Sequence, residues 1–170
     1  SNVLATVTTT TTNPLGEGVN AKDNDGITPL HSAVDSGNLD AAKLLIANGA
    51  DVNATDNDGN TPLHCAVYDE NLEIAQLLIA NGADLTATDN DGNTPLHIAV
   101  DSGYLEIAKL LIENGANVNV TDNDGNTPLH WASLTKNQEI VQYIQKTTFL
   151  SKLNSEITTS IVEGKKNQID

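Results

Sequence analysis

The apolar residues of this chain recur at helical spacing in short blocks that polar segments separate. In the first block, Leu30, Ala33 and Val34 follow Thr28 and Pro29 and lie on one face of a predicted helix. Threonine can cap the free amides of a helix, and proline is favoured at the first helical position. The pattern therefore predicts a short helix that begins at this Thr-Pro pair.

A second apolar stripe follows at helical spacing, made of Leu39, Ala42, Leu45 and Ile46. Gly37 allows a tight turn between the two helices, and Gly49 can adopt the left-handed conformation that ends the second one. The polar residues 50–60 contain the tetrapeptide DNDG, which is typical of a tight turn. These residues are predicted to form an extended arm between one helix pair and the next.

The whole pattern repeats with a fixed period. The strings ITPLHSAV, NTPLHCAV, NTPLHIAV and NTPLHWAS begin at residues 27, 60, 93 and 126, an offset of 33 each time. The tetrapeptide DNDG begins at residues 23, 56, 89 and 122. Such a period indicates a solenoid, in which each unit buries its apolar face against its neighbours.

A 33-residue helix-turn-helix unit that begins with TPLH and carries a projecting arm resembles the ankyrin repeat, and the resemblance covers residues 22–150. It implies an all-α fold, a solenoid of helix-turn-helix units with projecting β-hairpin arms. The predicted divisions are a Thr-rich segment with the remnant of a preceding repeat at 1–21, ankyrin repeats at 22–54, 55–87, 88–120 and 121–150, and a C-terminal capping helix and tail at 151–170.

The two ends of the array lead to different expectations. At the C-terminal end, an apolar stripe predicts an amphipathic helix that packs on the fourth repeat; its residues are Leu150, Leu153, Ile157 and Ile161. At the N-terminal end, TVTTTTTNP disfavours a helix, which leaves two alternatives. Either the first repeat has an irregular cover made by Val3, Leu4, Val7 and Leu15, or the natural cap is missing and apolar surface around Leu44 drives self-association of an otherwise monomeric chain.

The net charge of −15 and the pI near 4.3 restrict the class of partner. Nucleic acid and anionic membranes attract cationic surfaces, so neither is expected to bind this chain. Counting Asp and Glu against Lys, the four predicted repeats carry −3, −6, −4 and −1. A protein with a basic surface is the partner that such a field would attract. A cytoplasmic location is expected, because no signal peptide or membrane span is seen, and secretion into a host cell stays open.

No catalytic, cofactor or metal site is predicted, and the chain is not expected to be an enzyme. His31, His64, His97 and His130 share one position of the repeat, and units stacked about 10 Å apart cannot bring two imidazoles to one zinc ion at about 2 Å. The resemblance implies instead that these histidines make local hydrogen bonds. DNDG lacks the downstream glutamate of an EF-hand calcium loop. The only cysteine, Cys65, is predicted to be a buried, inert thiol.

The resemblance implies that partners bind a concave groove lined by the arm tips and by the exposed side of the first helices. The arm-tip candidates are Asn57, Asp58, Asn60, Asn90, Asp91 and Asn93. The helix-side candidates are Asp35, Ser36, Tyr68, Asp69, Asp101, Ser102, Tyr104 and Leu134. The tips are nearly identical in every repeat and can specify little, whereas the helix side varies. Trp131 is predicted to pack in the core, with a role as a binding hot spot as the alternative.

The functional hypothesis is therefore a protein-protein interaction module that binds a basic segment across repeats two and three, centred on Tyr68, Asp69 and Asp101. In the alternative interpretation of the charge, these carboxylates only keep the array soluble. The alternative function is a scaffold fragment of a larger multidomain protein, such as a microbial host-directed effector, that positions a missing domain. One departure from the repeat concerns Glu70 and Lys136, which replace the glycine of the turn between helices. If this turn position has a positive φ, a side chain there costs about 1 kcal/mol, and Glu70→Gly is expected to stabilise the fold slightly.

Overall fold

A computed structural model describes residues 18–168 of the chain. Within this range the chain forms eight α-helices and no β-strand. The helices are α1 (Pro29–Asp35), α2 (Leu39–Ala47), α3 (Pro62–Tyr68), α4 (Leu72–Ala80), α5 (Pro95–Asp101), α6 (Leu105–Glu113), α7 (Pro128–Leu134) and α8 (Gln138–Lys166).

The odd-numbered helices begin at the predicted Thr-Pro pairs. In α1, the Thr28 hydroxyl accepts a hydrogen bond from the His31 amide, and the His31 ring accepts one from the Thr28 amide. Helices α3 and α5 repeat this reciprocal cap, whereas α7 keeps only the threonine half of it. Such caps satisfy amides that have no partner inside the helix and contribute about 1 kcal/mol each.

The helices form two rows. Helices α1, α3, α5 and α7 contact one another in sequence, and each packs against the following even-numbered helix of the second row. The core lies between the rows, where Leu30, Leu63 and Leu96 are at most 1% exposed. Burying each such side chain stabilises the fold by about 1.5–3 kcal/mol. This arrangement confirms the predicted stack of helix-turn-helix units.

The turns between paired helices depend on one residue with positive φ. Gly37 and Gly103 have φ values of 64° and 77°, and Glu70 and Lys136 have φ values of 52° and 55°. The condition of positive φ is therefore met at the two non-glycine positions. A side chain in this conformation costs free energy that glycine does not.

The arms form closed turns, so the predicted β-hairpins are not seen as strands within residues 18–168. In the first arm, the Asp23 amide donates to the Ile27 carbonyl (3.1 Å), and the Gly26 amide donates to the Asp23 carbonyl (3.0 Å). The Asp23 side-chain Oδ1 accepts from the amides of Asp25 and Ile27, both at 2.9 Å. Because the carboxylate takes the Ile27 amide that would continue a ladder, the arm ends in a turn.

The loops that follow the even-numbered helices are joined by asparagine side chains. Asn53 Nδ2–H donates to the Gly82 carbonyl (3.0 Å), and Asn53 Oδ1 accepts from the Asp84 amide (2.8 Å). Asn20 makes the same two bonds to the next loop along. At the third equivalent position, Thr86 donates its hydroxyl to Asp84 within its own loop (2.7 Å). We call each contact between two such loops a seam. The seam at Thr86 therefore lacks both asparagine bonds in the part of the chain that the structure describes.

The C-terminal end differs from the prediction of a separate helix packed on the fourth repeat. Helix α8 continues without a break from Gln138 to Lys166, because no glycine or proline interrupts residues 138–163. The four apolar residues predicted to pack are 39–53% exposed; they are Leu150, Leu153, Ile157 and Ile161. At the other end, Leu44 is 54% exposed, and the predicted irregular cover lies outside the described residues.

Candidate functional site

The arm tips are tied to one another by asparagine side chains. Asn57 Nδ2–H donates to the Asn24 carbonyl (2.8 Å), and Asn90 Nδ2–H donates to the Asn57 carbonyl (2.9 Å). Asn123 continues the series to the Asn90 carbonyl (2.9 Å). We call this series the asparagine ladder. Its members use their amides inside the stack, so the predicted tip residues Asn57 and Asn90 hold neighbouring arms together.

Close approach of the arms explains the glycine of DNDG. A Cβ atom placed on Gly92 would lie 2.5 Å from Asn123 Oδ1 and 2.7 Å from the Asn123 amide nitrogen. Since φ of Gly92 is also +81°, both the backbone conformation and the available space require glycine there. The repeated shape of the arm tip thus follows from stacking between arms.

The buried histidines also link neighbouring units. His64 Nδ1 accepts from the Thr61 amide (3.1 Å), so the proton is on Nε2, which donates to the Asn93 carbonyl of the next arm (2.9 Å). His31 and His97 bond in the same way to the carbonyls of the arms that follow them. The predicted local bond is confirmed, and the bond to the next arm adds to it. Burial lowers the pKa of His64 even though the Asn93 carbonyl opposes that shift.

This bonding leaves neither ring nitrogen of these three histidines free to bind a metal ion. Within residues 18–168, no three His, Cys, Asp or Glu side chains are placed to hold one. His130 is exposed at the start of α7 and makes no bond to a following arm, because the chain continues there into α8.

We use the term inner face for the exposed residues at the ends of the odd-numbered helices, Asp35, Ser36, Tyr68, Asp69, Asp101, Ser102 and Leu134. Partial burial and the neighbouring Asp69 carboxylate raise the pKa of Asp35. Burial and the carboxylates of Asp35, Asp56 and Asp69 raise the pKa of the Cys65 thiol to about 12. Cys65 is therefore protonated at neutral pH, as predicted for an inert thiol, although it is partly exposed.

A cavity of about 120 Å³ opens on the inner face, with walls contributed by α3, α5 and α7. Its lining residues are Tyr68, Asn93, His97, Ile98, Asp101, Ser102 and Trp131. Partial burial and the carboxylates of Asp89, Asp91 and Asp101 raise the pKa of Tyr68. The structure thus places Tyr68 and Asp101 together, as the binding hypothesis requires, beside a tryptophan that the hypothesis did not include.

Trp131 is held in this position by an aspartate of the arm. Its Nε1–H donates to Asp122 Oδ2 (2.8 Å), while Asp122 Oδ1 accepts from the amides of Asp124 and Asn126. Desolvation opposes ionisation of Asp122, but these hydrogen bonds outweigh it and its pKa lies below the ordinary value. Trp131 is half-buried against the core, as predicted, and also lines the cavity. The sequence signal for this role was the change of residue at one repeat position, which holds Trp131 here and Ser32, Cys65 and Ile98 in the other units.

The remaining candidates lie in several settings. The carbonyls of Asp58 and Asp91 accept from asparagines of the next arm, and those of Asn60 and Asn93 accept from histidines. Tyr104 is the N-cap residue of α6 and packs partly buried against the core, whereas Leu134 is 59% exposed. Of the helix-side candidates, only Tyr68, Asp101 and Ser102 line a common cavity.

Positive charge is missing from the middle of the array. No lysine or arginine occurs between Lys43 and Lys109, a span that contains eleven aspartates and glutamates. Lys109 itself pairs with Glu106 (3.5 Å), and its ammonium lies 5.6 Å from the centre of the Tyr143 ring. The carboxylates around Tyr68 thus have no nearby cation supplied by the neighbouring sequence.

Comparison with protein families finds a match to a model described as ankyrin repeats in three copies. The match covers residues 7–89 and 84–154, which together span most of the chain. Comparison with curated proteins found no match. Among the helices of residues 18–168, none is both long and apolar enough to cross a membrane.

Proposed function

The chain belongs to the ankyrin repeat family, and from that premise we propose that its inner face binds a basic segment of another protein. Ankyrin repeats generally mediate protein-protein interaction. The proposed footprint covers the second and third units and is centred on Tyr68, Asp69 and Asp101. The asparagine side chains of the ladder contribute little to the choice of partner, because their amides are engaged between the arms.

The observation that carries the proposal is the unbalanced negative charge around the inner face, since eleven Asp and Glu residues and no Lys or Arg lie between Lys43 and Lys109. Asp69 raises the pKa of Asp35, and Asp89, Asp91 and Asp101 raise the pKa of Tyr68, in each case in addition to partial burial. A basic segment laid along these residues would offset that repulsion. Attraction of this kind accelerates association and weakens as salt is added.

A peptide library displayed on phage and selected on the folded chain tests the charge of the ligand. We expect enrichment of lysine and arginine over the unselected library. The affinity of one selected peptide is then measured at several salt concentrations for the wild type, Asp69→Asn and Asp101→Asn. Each exposed ion pair is worth about 0.2–1 kcal/mol, so each substitution should weaken binding roughly 1.5–5-fold.

Glu73→Gln is the matched control. It removes the same charge from the second unit, but from an exposed residue in the first turn of α4, which belongs to the row of even-numbered helices. It should leave the affinity within error of the wild type. Selection of neutral or acidic peptides would contradict the proposal, as would unchanged affinity and salt dependence in both aspartate variants.

A further inference from the structure

We propose that the cavity between Tyr68 and Trp131 is an anchor cavity that receives one cationic side chain, lysine or arginine, of the bound segment. This inference rests on the proposed function and specifies it, since it assigns one residue of the ligand to one place on the inner face.

The size of the cavity restricts its occupant. At about 120 Å³ it is well below the roughly 300–1,000 Å³ of sites that bury a small-molecule ligand. It has room for the end of one side chain. A groove-bound segment that runs along the inner face could therefore insert a single residue there.

The walls fit a long cationic side chain. Tyr68 of α3 and Trp131 of α7 line the cavity, and Ile98 of α5, which is 5% exposed, adds apolar surface to its wall. Aromatic rings attract a lysine or arginine cation placed over their faces. The hydrocarbon stems of the same side chains cover apolar surface while the charged end stays polar.

The charge of the surroundings selects a cation over a neutral side chain. Asp101 lines the cavity directly, and the carboxylates of Asp89 and Asp91 lie near enough to Tyr68 to influence its hydroxyl. Lys109, the next lysine along the sequence, is engaged with Glu106 and Tyr143 instead. A cation brought by a partner would therefore meet negative charge that the neighbouring sequence does not neutralise.

The tryptophan wall is set in place before any ligand arrives. The indole N–H of Trp131 donates to Asp122, and two backbone amides of the same arm fix that carboxylate in turn. Because its only hydrogen-bond donor is used, the ring can offer a ligand only its π surface and C–H edges. A wall that needs no reorganisation reduces the entropic cost of binding.

Trp131 is the only tryptophan in the chain, so its indole signal reports on the cavity directly. The probes are capped peptides of four glycines with one central residue, which is lysine, arginine, norleucine or citrulline. Citrulline matches arginine in length, and norleucine keeps the four-carbon stem of lysine without its ammonium group, so neither carries a charge. Titrations at constant ionic strength follow the indole N–H resonance and the fluorescence of Trp131.

We expect a saturable change with the lysine peptide, the arginine peptide or both, and a response roughly tenfold weaker with the uncharged partners. The relative strength of the two cationic peptides identifies the preferred side chain. Tyr68→Leu and Asp101→Asn should each weaken binding of the cationic peptide roughly 3–10-fold. Glu73→Gln should not change it, and circular dichroism confirms that each variant is folded.

The inference is overturned if the uncharged peptides act as strongly as the cationic ones, if no peptide shifts the indole signal, or if Tyr68→Leu binds like the wild type. Its failure differs from failure of the proposed function. A basic peptide that binds with the expected salt dependence, yet leaves Trp131 unaffected, would remove the anchor cavity only. Loss of all binding of basic peptides would contradict both the anchor cavity and the proposed function.

Discussion

Replacing Glu70 by glycine removes a side chain from a turn in which two of the four equivalent units already have glycine. Glu70 lies between α3 and α4 with φ of 52°, close to the 64° of Gly37 in the preceding unit. Its side chain is exposed, so the substitution removes no buried contact. The effect on stability should therefore come almost entirely from the backbone.

Two opposing contributions determine the size of that effect. A non-glycine residue in the left-handed region costs about 1–2 kcal/mol. Glycine adds about 0.4–1 kcal/mol of conformational entropy to the unfolded chain, which opposes the gain. We expect Glu70→Gly to raise the free energy of unfolding by about 0.5–1 kcal/mol, or Tm by roughly 1–4 °C for a chain of this length.

Urea and thermal unfolding followed by circular dichroism measure the change, with two controls. Glu70→Gln removes the negative charge but keeps a side chain at positive φ, so it isolates the electrostatic contribution. Gly37→Ala is the reverse backbone change: its Cβ would meet nothing closer than Asn71 Nδ2 at 3.8 Å, an ordinary contact. It should cost about 1 kcal/mol.

The explanation fails if Glu70→Gly is no more stable than Glu70→Gln, because relief of charge repulsion would then account for the whole gain. It also fails if Gly37→Ala is as stable as the wild type. Either result would show that positive φ in this turn carries no appreciable cost.

Two further predictions concern the seams between units. Thr86→Asn should add the two inter-loop bonds that Asn53 makes and raise the free energy of unfolding by about 1 kcal/mol. Asn53→Thr should lower the free energy of unfolding by a similar amount. A Thr86→Asn variant that is less stable than the wild type in urea would contradict this prediction. His64→Gln should lower stability by about 2 kcal/mol at pH 7.5. Because the pKa of His64 is lowered on folding, the unfolded chain binds more protons than the folded chain below pH 6.5. The stability of the wild type should therefore fall as the pH is lowered through this range, and its advantage over His64→Gln should shrink by pH 5.5. A constant or growing advantage at pH 5.5 would refute the assignment.

The helix pairs were predictable because their determinants are local. Thr28 and Pro29 set the start of a helix, and apolar spacing sets its buried face, without reference to distant residues. The form of the arms was not predictable in the same way. In the structure the Ile27 amide bonds to the Asp23 carboxylate, and the DNDG sequence alone does not select this acceptor over a backbone carbonyl. The predicted β-hairpins are accordingly not shown as strands within residues 18–168.

The C-terminal helix and the cavity are two other features that could not be predicted fully from the sequence. The repeat pattern stops near residue 150, and the apolar stripe beyond it is compatible both with a helix that folds back and with one that continues. The 33-residue register places Tyr68 and Asp101 on one face, as the structure shows. The cavity depends in addition on the Trp131 rotamer, which a bond to Asp122 fixes, and no periodicity of the sequence contains that information.

The asparagine ladder has a consequence for how such an array can change its length. Each rung pairs the same asparagine with the same carbonyl one unit away, so a 33-residue block that is duplicated, deleted or exchanged meets a matching partner at its new joint. Inner-face residues travel with their block but take no part in the ladder. Recombination between units can therefore rearrange the inner face while leaving the ladder intact. Thr86, which lacks the two asparagine bonds to the next loop, marks a place where a transplanted block would be held by fewer hydrogen bonds.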